Sequence, residues 1–198
     1  MPDTIFRELK MKKDSPFRMP KRVNVKARSS SITNAFFNGI IPCIEPKDEE
    51  VDEALKVLGM TEDTICCAYC GDKMSEWEHF HPLVVDKKPT GYITEIHNLV
   101  PSCNKCNSSK GNKEWKKWMY SKAKHSPKSR GIADMEQRVK RLEDYEKRFA
   151  AKTYDLEALV GEELWKEHLK NLDDIINMMN EAQLTSDEIQ EILKNKIH

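Results

Sequence analysis

The feature that most restricts this chain is a pair of short cysteine motifs. Cys67-Ala68-Tyr69-Cys70-Gly71 and Cys103-Asn104-Lys105-Cys106 stand with thirty-two residues between them. Two CxxC pairs can each grip one side of a zinc ion and close a tetrahedral four-sulfur site. The fold must therefore bring the two pairs face to face. The first is expected on a turn, with Gly71 just after it, and the second where a loop enters a helix that begins at Asn104. Cys66 leaves one alternative open, since it could replace Cys67 at CxxxC spacing; the usual knuckle has two intervening residues and favours Cys67. Cys43 has no partner in sequence and reads as a small core residue. The N-terminal run MPDTIFRELKMKKD lacks the apolar core of a cleaved secretion signal, which predicts a cytoplasmic, reducing setting where metal rather than disulfides takes up the cysteines.

With 198 residues, 38% hydrophobic and 33% charged, the chain can bury one moderate core with flanking helices. No apolar run reaches the roughly 18 residues that a membrane span needs. A net charge of zero conceals strong segregation. Residues 1–30 hold nine Lys/Arg against three Asp/Glu, and residues 105–130 hold nine against one. The two acidic stretches balance them: five basic against thirteen acidic in residues 31–104, and ten against sixteen in residues 131–198. Two basic blocks in an otherwise acidic chain point to local contact with nucleic acid, the alternative being lysine-rich faces that are merely solvated.

Hydrophobic periodicity divides the chain into three. Residues 1–63 read as a basic arm followed by helices, one starting at the caps Ser29–Ser31 and ending before Pro42, the other over Asp48 to Leu58 with Gly59 as its stop. Residues 64–125 hold the compact module, in which helical periodicity is absent until Asn104. Residues 126–198 read as a connecting loop, Ser126 to Gly131, and three helices. These are expected over Ile132–Ala151, with Met135, Val139, Leu142, Tyr145 and Phe149 on one stripe, over Leu156–Ala182, and over Ser186–Ile197 with Ser186 as its cap. The expected fold class is mainly α with a small α+β module.

Between the cysteine pairs lies Glu76-Trp77-Glu78-His79-Phe80-His81-Pro82-Leu83, then a polar loop around Asp86–Gly91, then Glu95-Ile96-His97-Asn98-Leu99. A carboxylate next to a histidine places an anionic metal ligand beside a neutral imidazole, and phosphodiester hydrolysis uses both. Trp115 and Trp118 are expected in the module's core, and His81 and His97 in supporting roles.

The string CAYCG…EHFHPL…HNLVPSCNKCNSSKGN resembles the HNH, or ββα-metal, endonuclease motif over roughly Cys67 to Trp118. The resemblance implies a β-hairpin packed on one helix, with an active metal between them and zinc on Cys67, Cys70, Cys103 and Cys106. It further implies His79 as general base, Glu78 as acidic metal ligand, Asn98 as the residue that fixes the loop and orients the base, and Asn107 as the last metal ligand. The subtype would be H-N-N, similar to the junction-resolving phage endonuclease. Glu78 stands where the family commonly has Asp, so Glu76 is a conceivable substitute. A neutral amide and one carboxylate suit Mg²⁺ or Mn²⁺. Lys105, Lys110, Lys113, Lys116 and Lys117, clustered on the helix bearing Asn107, are expected to contact the DNA backbone. SITNAFFNGIIP, HPLV, PTGYI and NLVPSC also resemble small type II restriction endonucleases of the IceA-like group, which implies a homodimer cutting double-stranded DNA. A homing or nicking endonuclease and a non-catalytic zinc-stapled DNA-binding module are the alternatives.

Overall fold

The computed structural model describes residues 19–197, so the first part of the basic arm, residues 1–18, lies outside the described residues. A single 3₁₀ turn, Val25–Arg28, leads into α1, Ser29–Asn38. α2, Asp48–Val57, starts where Glu50 accepts a hydrogen bond from the Lys47 amide at 2.8 Å and three acidic residues meet the positive end of the helix dipole. β1, Glu76–His79, follows the first cysteine pair; β2, Val84–Val85, and β3, Lys88–Pro89, form a minimal hairpin; β4, Leu99–Ser102, runs into the second pair. β1 and β4 pair antiparallel, with Glu76 opposite Ser102 and His79 opposite Leu99. The segment expected to be a polar loop thus contains a hairpin. Its turn residues Asp86 and Lys87 both adopt positive φ, 50° and 62°, without the glycine that normally signals such a turn.

α3, Asn104–Lys110, is only seven residues long. Gly111, at φ 52° and ψ −129°, turns the chain out of the helix in a conformation open to glycine. α4, Trp115–Met119, is therefore a separate element, and of the lysines expected on one helix Lys105 and Lys110 lie in α3, Lys116 and Lys117 in α4, and Lys113 in the connection between them. α5, Pro127–Arg130, is a single turn capped by Ser126 and closed by left-handed Gly131, inside the expected loop. α6 spans Met135–Phe149. Beyond it, α7, Leu156–Val160, breaks at Gly161 (φ 97°), and α8 runs without interruption over Glu162–Ile197. The expected division before Ser186 is absent. Thr185 returns its hydroxyl to the Glu181 carbonyl at 3.4 Å and Gln183 bridges the Val25 amide and Asp187, so these polar residues are satisfied within a continuing helix.

The main core draws on all three expected segments. Leu55 from α2 and Leu58 at its end, Phe80 directly after β1, Val100 from β4, Trp115 and Trp118 from α4, and Leu142 and Tyr145 from α6 are all buried together. Phe80 is its centre, stacked on Trp115 at 5.0 Å and edge-on to Tyr145 at 5.7 Å. The Tyr145 hydroxyl donates to the Leu99 and Ile96 carbonyls, which pins α6 to the start of β4. A second cluster, Phe37, Ile41, Leu83, Val84, Ile93 and Leu172, fastens α1 and α8 to the small hairpin. Cys43, expected in a core, is exposed. Its backbone bridges Thr94, and that pairing turns the side chain outward. Among the described residues no helix is long and apolar enough to cross a membrane.

Candidate functional site

The two cysteine motifs meet as their spacing requires. The Sγ atoms of Cys67, Cys70, Cys103 and Cys106 all lie within 4.8 Å of one another, and all four residues are buried. Cys70 Sγ and Cys103 Sγ are 3.7 Å apart; a tetrahedral zinc with bonds of about 2.3 Å has sulfur–sulfur edges of about 3.8 Å. The first pair sits on a knuckle closed by hydrogen bonds from the Gly71 amide to the Cys67 carbonyl and from the Cys67 amide to the Asp72 carbonyl, both 2.8 Å. Ala68 ties that knuckle to β4 through the Pro101 carbonyl at 2.8 Å. Cys66 stays outside the cluster. Hydrogen bonds with Cys67 and Cys70 push the Cys106 thiol far up, and those with Cys106 and Cys67 hold Cys70 far down. The neighbours' protons thus stabilise one thiolate, and metal binding would require the ligating thiols to give up theirs. The donor set and its spacing fit Zn²⁺. Arg130 adds a positive charge at the edge, donating to Cys106 Sγ at 3.8 Å and to Asp72 at 2.8 Å.

A separate cleft of about 690 Å³ is lined by Glu78, His79 and Asn107 and by none of the four cysteines. Glu78 and His79 end β1, while Asn107 lies one helical turn before the end of α3. Lys110 joins the two elements. This lysine, expected on a DNA-facing surface, is 0% exposed. Its ammonium donates to the His79 carbonyl at 2.9 Å and abuts Glu78 Oε1 as an ion pair. Lys110 is therefore an internal clamp, since a fully enclosed ammonium cannot reach a phosphate outside. Lys105, Lys113, Lys116 and Lys117 remain exposed. Lys113 caps α3 by donating to the Ser109 carbonyl at 2.9 Å, and Lys116 pairs with Glu143.

Glu78 itself is 5% exposed, yet no well-directed hydrogen bond reaches either carboxylate oxygen. Burial raises its pKa, against the opposing pull of Lys110. A buried carboxylate with open lone pairs at the edge of a cleft is chemically suited to a cation. Glu76 lines the same cleft but is not buried. His79 is held by its Nε2, 2.8 Å from Thr94 Oγ1. Burial first, and the Lys110 charge second, lower its pKa, which keeps the ring neutral near pH 7. The Thr94 contact went unread in the sequence, because nothing local distinguishes that threonine.

Asn98 is fully buried and acts through backbone. Its Oδ1 accepts from the His81 amide at 2.8 Å, and its Nδ2 donates to the His81 and Ile93 carbonyls at 3.1 and 3.2 Å. That clamp fixes the segment directly after His79. His81 stacks on Tyr92 at 4.5 Å, and His97 stacks on Phe149 at 4.9 Å.

Residues 67–113 match the model of the HNH endonuclease family. This stretch is an HNH endonuclease domain. No curated protein and no solved structure gives a significant match to the chain. The HNH domain holds the four cysteines, β1 through α3, and the Glu78, His79 and Asn107 side chains. α1, α2 and everything from α4 onward lie outside the matched stretch, although α1 also contributes Asn34 and Asn38 to the cleft.

Two outcomes follow for the HNH domain. Metal analysis of the purified protein should find about one zinc per chain, lost in Cys106→Ser; a well-folded protein without zinc would refute the staple. Lys110→Met should destabilise the zinc-loaded protein by about 3–5 kcal/mol in denaturant unfolding, because it strands a buried carboxylate. The exposed Lys117→Met should stay within about 0.5 kcal/mol of the parent. Equal effects of the two would contradict the burial of Lys110.

Proposed function

We propose that this protein is a metal-dependent endonuclease that hydrolyses phosphodiester bonds in double-stranded DNA, with the sequence specificity of a type II restriction enzyme. The observation that carries the reading is the convergence of Glu78, His79 and Asn107 on one cleft, apart from the four-cysteine cluster. Structural and reactive chemistry are thereby separated: sulfur donors staple the domain, while oxygen donors and an imidazole face solvent-accessible space. The Glu78 carboxylate and the Asn107 amide oxygen would hold Mg²⁺ or Mn²⁺. Such an ion offsets charge on the phosphate and on the leaving oxygen.

His79 takes the proton from the attacking water. Thr94 occupies Nε2, so the lone pair available for that transfer is on Nδ1. The depressed pKa keeps this nitrogen unprotonated at neutral pH, as a general base requires. Asn98 keeps the chain after His79 in place, and Lys110 keeps the strand end against α3. The exposed Lys105, Lys113, Lys116 and Lys117 supply the positive field for the DNA backbone.

Cutting both strands of a short palindrome calls for two clefts, hence a homodimer. Support comes from the outward face of α8, where Ile175, Met178, Ile189 and Ile192 are exposed at the spacing of a helix–helix seam. A second copy of this chain is the occupant we assign to that face.

Incubated with plasmid and Mg²⁺ or Mn²⁺, the protein should cut at discrete short sites. His79→Ala should cut at least about 100-fold more slowly with its zinc retained; cleavage at the parental rate would sink the assignment of the base. Scattered nicks would instead indicate a nicking enzyme, and DNA binding without cleavage a non-catalytic module. Sedimentation should show a dimer that Ile189→Glu converts to monomer, and a monomeric parent would rule out the α8 seam.

A further inference from the structure

We propose that Asn34 and Asn38 of α1 read base edges next to the scissile phosphate and so set part of the enzyme's sequence preference, with adenine as the base they favour. This rests on the nuclease reading above and deepens it. The two asparagines stand one helical turn apart, so their side chains share a face, and both are exposed and line the cleft that holds Glu78, His79 and Asn107. They lie outside residues 67–113, so nothing in the HNH domain itself accounts for them.

The packing of the rest of α1 explains why they are well placed. Thr33 and Phe37 are buried, Phe37 in the cluster with Leu83, Val84 and Leu172, and Phe36 packs its ring against His168 of α8 at 5.2 Å. His168 Nε2 is also 3.2 Å from the Phe36 carbonyl. α1 is thus bolted between the small hairpin and α8, with its asparagine face directed over the reactive groups. Side chains on a rigid, anchored helix can discriminate geometry that a loop would blur.

The chemistry of the cleft separates base reading from backbone binding. Among the described residues, none of those lining it is a lysine or arginine. A wall that served only to hold phosphates would be cationic, because that contact is chiefly electrostatic. A carboxamide instead presents a donor and an acceptor side by side, which matches adenine N7 and N6 in a bidentate pair. Asn112, just past Gly111, lines the same cleft and adds a fourth carboxamide to those of Asn34, Asn38 and Asn107.

The test uses a library of random-sequence duplexes incubated with zinc-loaded protein and Mg²⁺, with the cut ends sequenced. The same library is sorted by binding in Ca²⁺. The parent should show an adenine preference beside the cut of about 5- to 150-fold, the range of one good bidentate contact. The Asn34→Ala/Asn38→Ala protein should lose that preference while keeping zinc content, melting temperature and overall cutting within about tenfold of the parent. The milder Asn38→Ser alone should weaken it at fewer positions. An unchanged preference in the variant, at full or uniformly reduced rate, would overturn this inference and leave the nuclease reading standing. A parent that neither cuts nor prefers any sequence would remove both.

Discussion

The structure depends on one buried ammonium. Lys110 closes α3, and its Nζ reaches across to the last residue of β1 and to the Glu78 carboxylate. With a single contact point it fixes the separation between a strand bearing Glu78 and His79 and a helix bearing Asn107. Two ions buried this deeply are costly to desolvate, and a well-packed apolar pair would often be as stable. The arrangement makes sense where the spacing of a strand end and a helix counts for more than stability. Lys110 opposes the rise in the Glu78 pKa that burial causes, so the carboxylate is neutralised in part where it faces the cleft.

The four-sulfur cluster does the same task at the other end of the module. A sheet of two strands and a seven-residue helix bury too little apolar surface to hold themselves together. The cysteine knuckle locks the chain before β1 to the chain after β4, Arg130 ties the α5 turn to that knuckle, and the Phe80–Trp115–Tyr145 group fills the space behind. Cysteine cluster, ion pair and aromatic core each restrain a different edge of the β1–β4–α3 unit. The cleft is where none of the three closes it.

Much of this was legible in the sequence wherever a signal is local. The cysteine quartet follows from two CxxC spacings, α2 and α6 follow from period-3.6 apolar stripes, and the convergence of Glu78, His79 and Asn107 follows from their motif. What escaped was non-local. A lysine is the residue least expected inside, and only the approach of β1 and α3 shows that Lys110 has a carboxylate to meet. Thr94 holds His79 because a bridge with Cys43 delivers it there, fifty residues of separation that no window spans. Asp86-Lys87 turns a hairpin without glycine because the flanking Leu83 and Val84 are buried against α1 and α8. Thr185-Ser186 resembled a helix start, yet internal hydrogen bonds let α8 run on.

The composition of the main core has a consequence for how such a protein can be rebuilt. Phe80 lies in the matched stretch, but Trp115, Leu142 and Tyr145, which cover it, and Leu55 and Leu58 beside it, all lie outside. The matched stretch is therefore no portable cassette: a fusion that carried residues 67–113 alone would expose the ring of Phe80 to water. A graft into another host would have to bring α2, α4 and α6 along with it. Any shuffling of such a domain between genes would keep those helices in the exchanged block.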